Sequence, residues 1–113
     1  MMSDVPKYFL EFMAEKFKML GDTSRLRILK SLMSREMNVT EIVEDTELSQ
    51  ANVSKHLRLL ANAGLVQRRK SGLNAYYTVK DPVVERICDL VCRTILKEFD
   101  KGSSQVRYFK KKK

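Results

Sequence analysis

The sequence predicts a mainly α-helical fold with a small β-hairpin: four helices, the hairpin, and a long last helix. Three observations predict it. Apolar residues recur at helical spacing through most of the chain, Asp, Asn and Ser stand where helix N-caps are needed, and the stretch rich in β-branched and aromatic residues is broken by Ser71-Gly72 into two runs. At 113 residues, 43% hydrophobic and 32% charged, the chain suits one globular core and leaves no room for a separate catalytic domain.

Phe9, Phe12, Met13, Phe17 and Leu20 form the stripe of a first amphipathic helix ending near Gly21. Asp22 caps the second helix, whose core candidates are Leu26, Leu29 and Met33, with Ile28 and Leu32 beside them. Asn38 and Glu41 have the spacing of a capping box and open a short third helix carrying Ile42 and Val43, which stops by Thr46. Leu48 is expected to plug the turn that follows. Ser49 caps a fourth helix with Val53, Leu57 and Leu60 inward and Gly64 as its stop. Two strands, Leu65 to Arg69 and Ala75 to Val79, are joined through Lys70 to Asn74. Pro82 starts the last helix with Asp81 as its cap, and Val84, Ile87, Cys88, Val91 and Ile95 share one face, widened by Leu90 and Phe99. Residues 1–100 are expected to form the domain, and 101–113 a basic, disordered tail.

The tight link between helices three and four is what a helix-turn-helix requires, and the basic hairpin after it makes a winged helix-turn-helix of order α-α-α-α-β-β-α. Charge agrees. Lys101, Arg107 and Lys110 to Lys113 give the tail +6 of the net +8, leaving +2 for residues 1–100, yet Ser49 to Lys80 holds Lys55, Arg58, Arg68, Arg69, Lys70 and Lys80 with no acid. A local basic surface of this kind suits docking on a polyanion. With Val53, Leu57 and Leu60 inward, Ala51, Ser54, Lys55, Arg58 and Asn62 turn outward or to the flanks, Gln50 opens the helix, and Asn52 joins them as a candidate DNA contact. Gln can pair with adenine, and Lys or Arg with guanine or phosphate. Arg68, Arg69, Lys70 and Asn74 give the hairpin the groups for phosphate or minor-groove contact. The bland alternatives are a solvated helix face and a solvated hairpin tip.

No apolar run spans a bilayer and no long apolar stretch opens the chain, so no membrane partner is expected and the chain reads as cytoplasmic. No carboxylate constellation, Cys/His pair or phosphate loop appears, so it reads as no enzyme.

Two blocks, Leu20 to Leu29 and Leu48 to Leu60, followed by Ala63-Gly64-Leu65-Val66 and the Gly72 to Tyr77 wing, resemble the ArsR/SmtB family of winged-helix repressors over residues 15–100. The resemblance implies a homodimer built by the first and last helices, repression at a pseudo-palindromic double-stranded DNA operator, and release of DNA on binding an inducer. Family inducers include metal ions, arsenite and reactive sulfur species. The paired-thiolate site of some members falls near Asn38 and Thr40, which supply no soft ligand, and the zinc site of others falls on a stretch offering Val83, Thr94 and Lys97 after Asp81. Cys88 and Cys92 remain as candidates for a soft metal or metalloid ion, or for sulfur chemistry. At i and i+4 their Cβ atoms stand about 5–6 Å apart, too far for an unstrained bridge within one helix. The alternative is two small buried hydrophobes at a dimer seam. His56 flanks the buried stripe, which suits a structural or phosphate-adjacent role rather than metal ligation. From another functional class, a nucleic-acid-coating or protein-interaction module without an inducer also fits the residues.

Overall fold

The computed structural model describes residues 1–100, and the basic tail expected at 101–113 lies outside the described residues. The chain divides into two compact units, one of Met1–Asp81 and the other beginning at Pro82.

In the first unit a short 3-10 turn, Met2–Asp4, precedes α1, Lys7–Leu20, which buries none of its residues. The stripe of Phe9, Phe12 and Phe17 is exposed. α2, Thr23–Ser34, opens where the Asp22 carboxylate accepts from the Arg25 backbone N–H at 3.0 Å. Its buried stripe is Arg25, Ile28, Leu29, Ser31 and Leu32. Leu26 was expected in the core but is 41% exposed, and Met33 is only half-buried. At about 100° per residue, the phase that buries Ile28, Leu29 and Leu32 carries Arg25 inward and Leu26 away.

α3, Val39–Thr46, has the full capping box: the Asn38 side chain accepts from the Glu41 N–H at 2.9 Å, and the Glu41 carboxylate accepts from the Asn38 N–H at 3.0 Å. Glu47 turns the chain with φ 62°, in the left-handed region. The turn is filled mainly by Thr46, which is buried and accepts the Leu48 N–H, whereas the expected plug, Leu48, is half-buried. α4, Gln50–Asn62, is capped by the Ser49 hydroxyl accepting from the Asn52 N–H at 3.1 Å. It ends at Gly64, whose φ of +77° places it where glycine is favoured. α2, α3 and α4 pack around Ile28, Leu29, Leu32, Ile42, Val53, Leu57 and Leu60.

The hairpin is longer than expected, with β2 at Val66–Ser71 and β3 at Asn74–Val79. Ser71 pairs directly with Asn74, which leaves a two-residue turn of Gly72, at φ +60°, and Leu73. A further strand joins it: β1, Met37–Asn38, pairs antiparallel with β3 and completes a three-stranded sheet of order β1-β3-β2. Two residues are too short to show the alternation that identifies a strand in sequence.

The second unit is described by α5, Pro82–Phe99, in which Val84 alone is buried. Among the described residues no helix is long and apolar enough to cross a membrane.

Candidate nucleic-acid interface

α3 and α4 meet across the turn at Glu47–Leu48, and the burial of Val53, Leu57 and Leu60 fixes which face of α4 is presented outward. Gln50, Ala51, Asn52, Ser54, Lys55 and Arg58 are all exposed. The first two turns of α4 thus offer amides, small side chains and a cation together, the groups that read base edges when a helix enters a major groove.

The wing extends this surface. Ser54, Arg58 and Asn62 of α4, Arg68 of β2 and Tyr77 of β3 line one open groove with Leu57 and Ala61. Two guanidinium side chains from separate elements therefore face a common space beside the outward face of α4. Lys70 lies on the Arg68 side of β2 by strand alternation, and Asn74 is exposed at the strand end next to the turn.

Arg69 lies on the opposite side. It pairs with Tyr76 in the ladder, its guanidinium stands 5.1 Å from the Tyr76 ring centroid, and it forks onto Glu36 through Nε–Oε2 at 3.0 Å and Nη2–Oε1 at 2.7 Å. The hydrogen bonds from Arg69 hold the Glu36 carboxyl below the ordinary carboxylate range, and Glu36 raises the Arg69 pKa in turn. The structure thus brings Ser54, Arg58 and Arg68 together and places Arg69 elsewhere.

Two side chains that shape this surface stand outside the residues singled out from sequence. Glu36 is one. Arg25 is the other: its Nε and Nη2 donate to the backbone carbonyls of Met19 and Lys18 at 2.9 and 3.1 Å, and Nη1 lies 3.4 Å from His56 Nδ1. A buried guanidinium therefore caps the C-terminus of α1, where a cation is favoured, and ties α1 and α2 to α4. His56 occupies a structural contact on the recognition helix. Its presence in the sequence signals a polar partner on the inner flank but does not name Arg25, 31 residues away.

On α5, Cys88 is half-buried and Cys92 exposed. Burial pushes the Cys88 thiol pKa up, with the charge of Asp89 adding to the shift, so the thiol form is favoured there at neutral pH. Among the described residues no group of three or more His, Cys, Asp or Glu side chains is arranged to hold a metal ion.

A capped helix-turn-helix with an exposed polar face on its second helix, followed by a basic wing, defines the class: a winged helix-turn-helix DNA-binding protein. Comparison with known proteins narrows it. Residues 22–68 match the family described as "Bacterial regulatory protein, arsR family". The chain is 45% identical over 76 residues to an uncharacterized HTH-type transcriptional regulator of Methanocaldococcus jannaschii, a match spanning 66% of this chain and 85% of the relative. It is 36% identical over 89 residues to a probable mercury resistance operon repressor of Streptomyces lividans, spanning 79% and 69% of the two chains. Its fold matches the solution structure of a homodimeric winged helix-turn-helix DNA-binding domain of Mycobacterium bovis, a possible ArsR-family regulator, with a TM-score of 0.75 at 29% identity over 83% of this chain and 87% of that one. The chain belongs to the ArsR family of bacterial regulatory proteins, which are DNA-binding transcriptional regulators and not enzymes.

Proposed function

We propose that the protein is a homodimeric transcriptional repressor that binds a pseudo-palindromic operator through α4 and the wing and leaves it when an inducer binds. The observation that carries this reading is the groove in which Ser54 and Arg58 of α4 meet Arg68 of β2. It supports a reading in which Arg58 and Arg68 grip the DNA backbone beside the outward face of α4. In this reading Gln50, Ala51, Asn52, Ser54 and Lys55 face base edges, while Arg58, Arg68 and Lys70 hold phosphates and Asn74 reaches the minor groove from the wing. Support for the homodimer comes from the exposed apolar faces of α1 and α5 and from the homodimeric structural relative. The test is fluorescence anisotropy on the chain's own promoter DNA and on random duplex. Gln50→Ala should cost about 1–3 kcal/mol at one base position and leave random DNA unaffected, while Arg68→Ala should weaken binding to both and lower the salt slope by about 1. Salt-dependent binding with little sequence preference would favour the coating alternative instead.

For the inducer, Cys88 and Cys92 supply the chain's two thiols, one helical turn apart on α5. They suit a soft metal or metalloid ion or a reactive sulfur species, and an ion would draw its remaining ligands from a second copy or from solvent. The Streptomyces relative, a probable mercury resistance operon repressor, supports a soft-metal class. Cys88→Ser/Cys92→Ser should bind operator normally and no longer release it with mercuric ion, arsenite or a persulfide donor. Unchanged release would place the inducer site elsewhere.

A further inference from the structure

We propose that Glu36 withholds Arg69 from DNA phosphate, so that the wing meets DNA with Arg68 and Lys70 and grips indiscriminate sequence less tightly than its charge alone would allow. The inference rests on the DNA-binding reading above and adds to it a residue that sets how tightly the wing grips phosphate. Glu36 lies just ahead of β1, and β1 pairs with β3 at Asn38↔Tyr76 while β2 pairs with β3 at Arg69↔Tyr76. Strand alternation therefore puts Asn38, Tyr76 and Arg69 on one face of the sheet, and Glu36, two residues before Asn38, reaches across β3 to Arg69. Arg68, one residue earlier, pairs with Tyr77 and faces the α4 groove.

The geometry of the pair decides how Arg69 behaves. Both carboxylate oxygens are engaged by the guanidinium fork, and Tyr76 supports the guanidinium at 5.1 Å. A phosphate must displace a carboxylate of matching bidentate geometry to bind there, so docking exchanges one ion pair for another. A cation held this way also brings little counterion release, and counterion release is the source of sequence-independent affinity. Removing one phosphate ligand weakens operator and random DNA together, so holding Arg69 back lowers the sequence-independent grip on both and leaves discrimination to the α4 base contacts.

The experiment measures the slope of log affinity against log salt for the full chain on operator and on random duplex of equal length. Arg68→Ala should lower the slope on random duplex by about 1, whereas Arg69→Ala should leave it unchanged. Glu36→Gln should steepen it by about 1 and raise affinity for random duplex and for operator alike, roughly three- to tenfold each. Adding Arg69→Ala to Glu36→Gln should return the slope to the wild-type value. The Arg68 and Arg69 side chains are exposed and Glu36 is half-buried, and an unchanged circular dichroism spectrum confirms that each variant folds. A fall in slope for Arg69→Ala equal to that of Arg68→Ala, or no gain on random duplex for Glu36→Gln, would overturn the proposal. Failure of the wild-type chain to prefer operator over random duplex would instead overturn the functional reading, and the salt slopes on random duplex would still decide whether Arg69 is withheld.

Discussion

α4 and α5 are both amphipathic, yet they spend their apolar residues differently. α4 buries Val53, Leu57 and Leu60 completely within its own chain, which leaves its polar face as the part offered outward. α5 is five residues longer and buries only Val84, with Leu90 61%, Val91 55% and Ile95 41% exposed. The first pattern belongs to a helix oriented by its own core, and the second to a helix whose apolar face calls for another surface. α1 falls with α5: it buries nothing, and Phe12 is 66% exposed. α4 is thus oriented by its own core, whereas α1 and α5 leave apolar faces exposed.

Substitutions on the apolar faces of α4 and α5 should therefore have different consequences. Leu57→Ala should destabilise the protein by about 2–5 kcal/mol in urea unfolding, because it removes a fully buried side chain and leaves a cavity. Leu90→Glu should leave the far-ultraviolet spectrum intact and weaken the dimer at least tenfold, about 1.4 kcal/mol, by light scattering. A Leu90→Glu dimer as tight as wild type would show that α5 does not form the seam. Asn38→Ala should cost about 1 kcal/mol, since it breaks the capping box of α3.

The smallest effect concerns pH. The hydrogen bond from the Arg25 N–H holds the Asp22 carboxyl below its ordinary value of 3.8. A carboxylate with a depressed folded pKa contributes stability that is present above 3.8 and lost as pH falls through the folded value. Wild type should therefore lose more stability than Asp22→Asn on acidification below about pH 4. Parallel acid titrations of the two would show that the cap carries no charge-dependent part.

The caps were legible because they are local. Asp22, Asn38 and Ser49 each act on a backbone N–H three residues on, and all three occur as read. The outward face of α4 was legible for a similar reason, since one helical period fixes it once Val53, Leu57 and Leu60 are inward. What escaped depends on tertiary pairing. β1 exists because Met37 and Asn38 meet Tyr77 and Tyr76, residues almost forty positions later in the chain. Arg68 and Arg69 look equivalent in sequence, and only the ladder register sends one toward α4 and the other to Glu36, 33 residues away. Leu26 and Arg25 exchanged places because a helix phase set by Ile28, Leu29 and Leu32 overrides residue type when a buried guanidinium finds the carbonyls at the end of α1.

If two copies present two α4 helices to one duplex, hydroxyl-radical footprinting of the chain on its own promoter will reveal it. Two protected half-sites related by two-fold symmetry, with centres about one helical turn or a multiple of it apart, are the predicted result. A single isolated half-site, or uniform protection without boundaries, would contradict it.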